Sequence, residues 1–247
     1  MVQRVRYSVY GNNHHRKKKR NNIGGNIKTC FVDSNIIAYW MMAKDINVNV
    51  FNKLRIPRDF VNVYSDRYNS SISFIDKIVD GSFENKFDFI TYDFNIFEIA
   101  KAIKDEIKTL YLFKKGEPIS KWSKSNSEKF DEEIISIIYS YYSNLQDILF
   151  GEEKIKLETI PFAVGGKTYA SYYDFYNYIL FRIPELSTQD ALIISGCYVD
   201  NIDYLISEDS RLQKAWKEFI KDDKEIKTKT KLEIKKPGDT TFYTSKK

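Results

Sequence analysis

Short apolar runs, each followed by a longer segment with helical spacing, set the rhythm of this chain. Thr29 to Val32 reads as a β strand, and Asp33-Ser34-Asn35 follows it directly. Ile36-Ile37-Ala38-Tyr39-Trp40 then reads as a buried helix, completing a strand, turn and helix. Phe87 to Tyr92 predicts a second strand. After it, Ile96, Ile99, Ala100, Ile103, Ile107 and Leu110 form the apolar stripe of a helix over about Phe94 to Phe113. Ser187 to Asp190 starts another helix, Ala191 to Tyr198. Asp203 to Ser207 is a strand, and Asp209 opens a helix over Arg211 to Ile220. Lys227 to Ile234 alternates Lys with Thr, Leu and Ile, the pattern of a closing edge strand. Strands alternating with helices predict an α/β protein with a mainly parallel central sheet covered on both faces.

The rhythm changes between Lys114 and Leu186. Lys114 to Lys129 is a polar loop rich in Lys and Ser, Phe130 to Phe150 has a helical pattern rich in Ile and Tyr, and Gly165-Gly166 precedes an aromatic stretch from Tyr169 to Phe181. The span of about 114–186 therefore reads as a helical, aromatic-rich insertion into a simpler core. Aromatics beside a basic groove can stack on unpaired bases. Here Ile135, Ile137, Ile138, Ile179 and Leu180 stand among the tyrosines and favour packing.

Composition narrows the class. The 247 residues are 43% hydrophobic and 30% charged, enough for one generous domain with a continuous core. Sparse Gly and Pro with 15% aromatics exclude collagen-like and wholly disordered chains. No apolar run approaches the roughly 20 residues of a membrane-spanning helix, and Met1 to Tyr10 lacks a secretory apolar stretch. Cys30 and Cys197 sit inside apolar runs without zinc spacing, so buried reduced thiols in a cytoplasmic protein are expected.

Charge is partitioned. Residues 1–28 carry eight Lys/Arg and no acid, residues 221–247 carry nine Lys and five acids, and the net charge of the whole is only +5. The globule between is thus acidic and its ends are basic. Arg16, Lys17, Lys18, Lys19 and Arg20 lie among Asn and Gly with no apolar periodicity. Residues 1–28 read as a flexible basic arm that contacts nucleic-acid phosphates, or merely as a solubilising tail.

Four isolated acids carry the chemistry. Asp33 ends the first strand, Glu98 lies in the first turns of the helix after the second, Asp190 opens another helix, and Asp209 lies beyond the last core strand. In an open α/β sheet, such positions converge on the edge where ligands bind. Carboxylates brought together there repel unless a cation neutralises them, and oxygen-only donors select Mg²⁺ or Mn²⁺. Each also has an ordinary reading. Asp33 and Asp209 suit helix caps, Ser187-x-x-Asp190 fits a capping box, and Glu98 falls off the apolar stripe. Two features favour the site: Asp190 continues the buried stripe of Ile193, Ile194 and Cys197, and all four acids fall at the same sheet edge.

The segments Phe31-Val32-Asp33-Ser34-Asn35-Ile36-Ile37, Asn95-Ile96-Phe97-Glu98-Ile99, Thr188-Gln189-Asp190-Ala191-Leu192-Ile193-Ile194 and Leu205-Ile206-Ser207-Glu208-Asp209 resemble, in order, those of the PIN-domain family of metal-dependent ribonucleases. The closing strand with Pro237 and Phe242 also looks like the family's ending. The resemblance implies a three-layer α/β/α domain over residues 29–247, with the insertion at about 114–186 having no counterpart in small members. It implies that Asp33, Glu98, Asp190 and Asp209 are the catalytic, Mg²⁺- or Mn²⁺-binding set, with Asp33 and Asp190 the most direct ligands. Asn35 and Ser207 take the places of supporting polar residues. The implied activity is endoribonuclease cleavage of RNA leaving 5′-phosphate and 3′-hydroxyl ends.

Several readings compete with it. A PIN-fold RNA-binding or assembly scaffold without catalysis is one; a toxin-type ribonuclease with an antitoxin-like partner is another. A structure-specific DNA nuclease would need extra acids, for which Asp93, Asp203 and Glu208 are available. A homodimer fits the resembled family. An aspartyl-phosphate phosphatase needs an acid at Asn35, and an integrin-type metal site needs a serine there. No glycine-rich phosphate loop precedes a helix, and no Cys has a His partner outside the arm.

Overall fold

The computed structural model describes residues 27–43, 47–118, 130–140, 155, 157–162 and 166–239. Residues 1–26 of the 1–28 arm, most of the polar loop 114–129, residues 141–150 and Phe242 lie outside them. Five strands form one all-parallel sheet: β1 (Lys28–Val32), β2 (Phe87–Tyr92), β3 (Glu158–Ile160), β4 (Tyr204–Ile206) and β5 (Glu233–Lys235). Their order is β3-β2-β1-β4-β5. The chain builds outward from β1 to β3, then crosses back to place β4 on the other side of β1. Parallel pairing requires a crossover at each step, and helices fill them.

Side-chain alternation along the strands sorts the core into two halves. Cys30, Val32, Phe89 and Ile206 face one apolar cluster, while Phe31, Ile90, Tyr92 and Leu205 face the other. The first cluster is covered by α1 (Ser34–Met41), α2 (Asn47–Leu54), α4 (Asn69–Val79) and α5 (Asn95–Lys114). A short α3 (Arg58–Asp66) precedes α4, and helical residues 132–140 add Ile134, Ile137 and Ile138 to the same cluster. The second is covered by α7 (Gly166–Arg182), α8 (Thr188–Val199) and α9 (Ser210–Asp222), taking the helix over 132–140 as α6. The result is a sheet between two helical layers. Cys30 and Cys197 are buried free thiols, one in each cluster.

Two stretches differ from the sequence reading. Within the span read as an insertion, 158–160 pairs with β2 as β3, and α7 packs against α8. Part of that span therefore belongs to the sheet fold. Residues 227–234 were expected to be extended throughout, but Lys224–Lys229 is a helix, α10, and only Glu233–Lys235 pairs with β4. Asp223 explains the change: its carboxylate accepts from the Ile226 backbone N–H at 3.0 Å, and Ile226 is buried. A capped turn that buries an apolar residue outweighs weak alternation. No helix among the described residues is long and apolar enough to cross a membrane.

Candidate functional site

Each of the four acids reaches the same place by a different local route. Asp33 is the residue after β1, held in line by its backbone N–H donating to Ile206 O at 3.0 Å. It precedes α1 in extended conformation, yet its side chain makes no capping bond. Instead Ser207 Oγ donates to Asp33 Oδ2 at 2.7 Å, and Ser34 Oγ donates to Oδ1 at 3.2 Å. Ser207 Oγ also accepts from the Asp209 backbone N–H at 3.1 Å, so one hydroxyl ties the ends of β1 and β4 together. Thr91 Oγ1 donates to Val32 O at 3.3 Å and joins β2 to the same edge.

Glu98 comes from the first turn of α5, half-buried rather than solvated. Ser34 Oγ lies 3.4 Å from Glu98 Oε2, so this hydroxyl is shared between Asp33 and Glu98. Asp190 stands at the start of α8, whose direction brings its N-terminus to the edge where β1 and β4 end. The capping box is present: Ser187 Oγ accepts from Asp190 N at 3.1 Å and donates to Asp190 Oδ2 at 2.7 Å. Asp209 caps α9, accepting from Arg211 N at 2.7 Å and Leu212 N at 3.3 Å.

Asp190 and Asp209 therefore do cap their helices, whereas Asp33 caps nothing and is held by Ser207 and Ser34 instead. All four carboxylates line one cleft of about 210 Å³, together with Ser34, Asn35, Lys101, Ala102, Asp105, Gln189 and Ile193. The structure places Asn35 on the wall and Ser207 behind Asp33. It also places four polar residues there to which the sequence reading gave no role: Ser34, Lys101, Asp105 and Gln189. The signal for Lys101 and Asp105 was their spacing, three and seven residues beyond Glu98 on one helix face. The extra acids lie elsewhere. Asp203 Oδ2 accepts from Thr29 N at 2.8 Å at the opposite end of the strands, and Lys231 pairs with its Oδ1 at 3.0 Å. Asp93 Oδ1 accepts from Phe94 N at 2.8 Å, and Glu208 Oε1 accepts from Ser71 Oγ at 2.9 Å.

The electrostatics match this crowding. Burial pushes the Asp33 carboxyl above its ordinary range, against the pull of Ser207 and Ser34, and the Asp190 charge adds to the rise. Burial and the Asp33 charge push Glu98 up to about 7, with Asp190 adding to it and Lys101 opposing it. At Asp209 burial acts upward too, but the Arg211 and Leu212 amides and the Arg211 guanidinium together leave it below the usual value. Two crowded, proton-prone carboxyls beside a third acid make a place that a cation would relieve.

Whether the residues fit a metal follows from the donors. They are oxygen-only, which suits a hard divalent ion. Among the described residues no group of three or more His, Cys, Asp or Glu side chains is placed to hold a metal ion. Mg²⁺ keeps several waters and is commonly held by one or two carboxylates plus substrate phosphates, so the Asp33–Glu98 pair bridged by Ser34 is the arrangement that fits. The chain matches no known protein-family model, no curated protein and no solved structure.

Proposed function

We propose that this chain is a Mg²⁺- or Mn²⁺-dependent endoribonuclease of PIN type, hydrolysing RNA phosphodiester bonds at the cleft of Asp33, Glu98, Asp190 and Asp209. The observation that carries the reading is the convergence of four acids from four separate segments on one cleft, with Asp33 buried there and making no cap. The cleft lies beside the ends of β1 and β4, where the strand order reverses, the place at which open parallel sheets bind ligands.

When bound, a divalent ion supplies Lewis-acid stabilisation of phosphate charge and activation of the attacking water. The protein's part is positioning. Ser207 and Ser34 fix both oxygens of Asp33, and Ser34 also steadies Glu98, so both carboxylates are held in place at the cleft. Asp190 and Asp209 are steadied by their caps and line the same cleft, where they would orient waters around the scissile phosphate. The basic ends would supply attraction for RNA that an acidic globule lacks.

The test is incubation of a mixed RNA pool with the full chain and Mn²⁺ or Mg²⁺. Cleavage that EDTA abolishes, leaving 5′-phosphate ends, is expected; intact RNA would count against the proposal. Parallel incubations with structured RNA and DNA flaps separate it from a DNA nuclease. One other reading has an observation on its side. Asp190 and Asp209 are both engaged in caps, as a scaffold that binds RNA without cutting it would allow. A scaffold gains no thermal stability from Mn²⁺, whereas a metal-binding cleft does.

A further inference from the structure

The carboxylate cleft has one cation on its walls. Lys101 lies three residues after Glu98 on α5 and lines the same space, the one Lys or Arg among the cleft-lining residues. It is exposed and makes no ion pair or hydrogen bond among the described residues, although its charge acts on Glu98 three residues away. An exposed ammonium in no ion pair, beside acids that a metal would neutralise, is placed for the substrate's own negative charge. Four residues before it, on the same side of the helix, stands Phe97, 78% exposed and making no ring contact among the described residues. Most of the large apolar side chains of α5 point the other way: Ile99, Ile103, Ile107 and Leu110 are buried in the core. Phe113, also exposed, stacks on Phe60 with ring centroids 4.2 Å apart. A single exposed apolar residue needs no explanation by itself. Phe97 differs because it is the immediate neighbour of Glu98 and is one helical turn from the cleft's lone cation.

We propose that Lys101 and Phe97 are the specificity pair of this site: Lys101 takes a backbone phosphate and Phe97 stacks on an adjacent base of an unpaired RNA strand. Side chains four apart on a helix lie about 5–6 Å from each other at Cβ, close enough to serve neighbouring parts of one strand. Stacking on an aromatic is tolerant of sequence because every base has a π face, but it needs a base that is not already paired and stacked. The pair therefore selects strandedness rather than sequence. The proposal rests on the ribonuclease reading above.

The experiment measures binding and Mn²⁺-dependent cleavage of a short single-stranded oligouridine and of an RNA duplex of equal length. It uses the full chain and its Phe97→Ala, Phe97→Trp, Lys101→Ala and Lys101→Arg variants. Both positions are exposed, and thermal melts verify folding. Phe97→Ala is expected to weaken single-strand binding about ten-fold with no comparable effect on duplex, and Phe97→Trp to restore it. Lys101→Ala is expected to flatten the dependence of log affinity on log salt by about 0.7, as loss of one phosphate contact on a single strand does, and Lys101→Arg to retain it. Mn²⁺ affinity, read by titration without RNA, should be no weaker in any variant. If the wild type cleaves but the Ala variants bind both RNAs as it does, or lose both equally, the pair has no such role and the ribonuclease reading stands. If the wild type neither binds nor cleaves RNA, both fall together.

Discussion

Asp33 makes no capping bond to the helix it precedes, and its two oxygens are held by Ser34 and Ser207 beside Glu98. The cost of that arrangement in the metal-free protein has a sign that pH reveals. Glu98 titrates near 4.5 when free and near 7 in the fold. Between those values the folded chain keeps a proton that the unfolded chain has released, so the stability linked to Glu98 is complete below about 4.5 and is lost as pH rises through about 7. In EDTA, Glu98→Gln should therefore melt close to the wild type near pH 5 and above it near pH 8, while no longer gaining stability from Mn²⁺. A gap that does not change with pH would mean Glu98 is not crowded. The acids were legible because each falls where a strand ends or a helix begins. What their neighbours do was less so, since Lys101 and Asp105 reach the cleft only through the helix face they share with Glu98.

At the level of elements, α8 carries Asp190 and must lie tight on the sheet. Gly196 permits it: an added Cβ would meet the Tyr92 ring at 2.5 Å. Tyr92 cannot readily yield, because its hydroxyl donates to Asp200 Oδ2 at 2.6 Å and its ring packs against Phe31 and Phe162. Gly196→Ala should destabilise by about 2 kcal/mol through overpacking, read from urea unfolding; an unchanged midpoint would show that α8 shifts freely. The apolar stripes made β1, β2, β4, α5 and α8 readable nearly to their ends. β3 is only three residues, Glu158–Ile160, and its partner β2 is distant in sequence, so no local pattern announces it. At α10 a local cap at Asp223 overrode an alternation that pointed to strand. Helix α2 covers the first cluster with few apolar residues, Val50, Phe51 and Leu54 among them, whereas α4 carries a stripe of Phe74, Ile75 and Ile78 that the sequence reading passed over.

Taken whole, the molecule is a parallel sheet whose order reverses about β1, with four acids gathered beside that reversal and a net positive charge at the two ends of the chain. A parallel α/β class follows from alternating runs, but the strand order does not, because pairing depends on contacts between residues far apart. Order matters for function here: with β4 beside β1, Ser207 can reach Asp33, and the loops bearing Asp33 and Asp209 meet. The most direct measurement is Mn²⁺-dependent cleavage of a mixed RNA pool by the wild type, Asp33→Asn and Asp190→Asn, each verified as folded. Cleavage by the wild type and its loss in both variants is the predicted result. Activity that survives both substitutions would contradict the site.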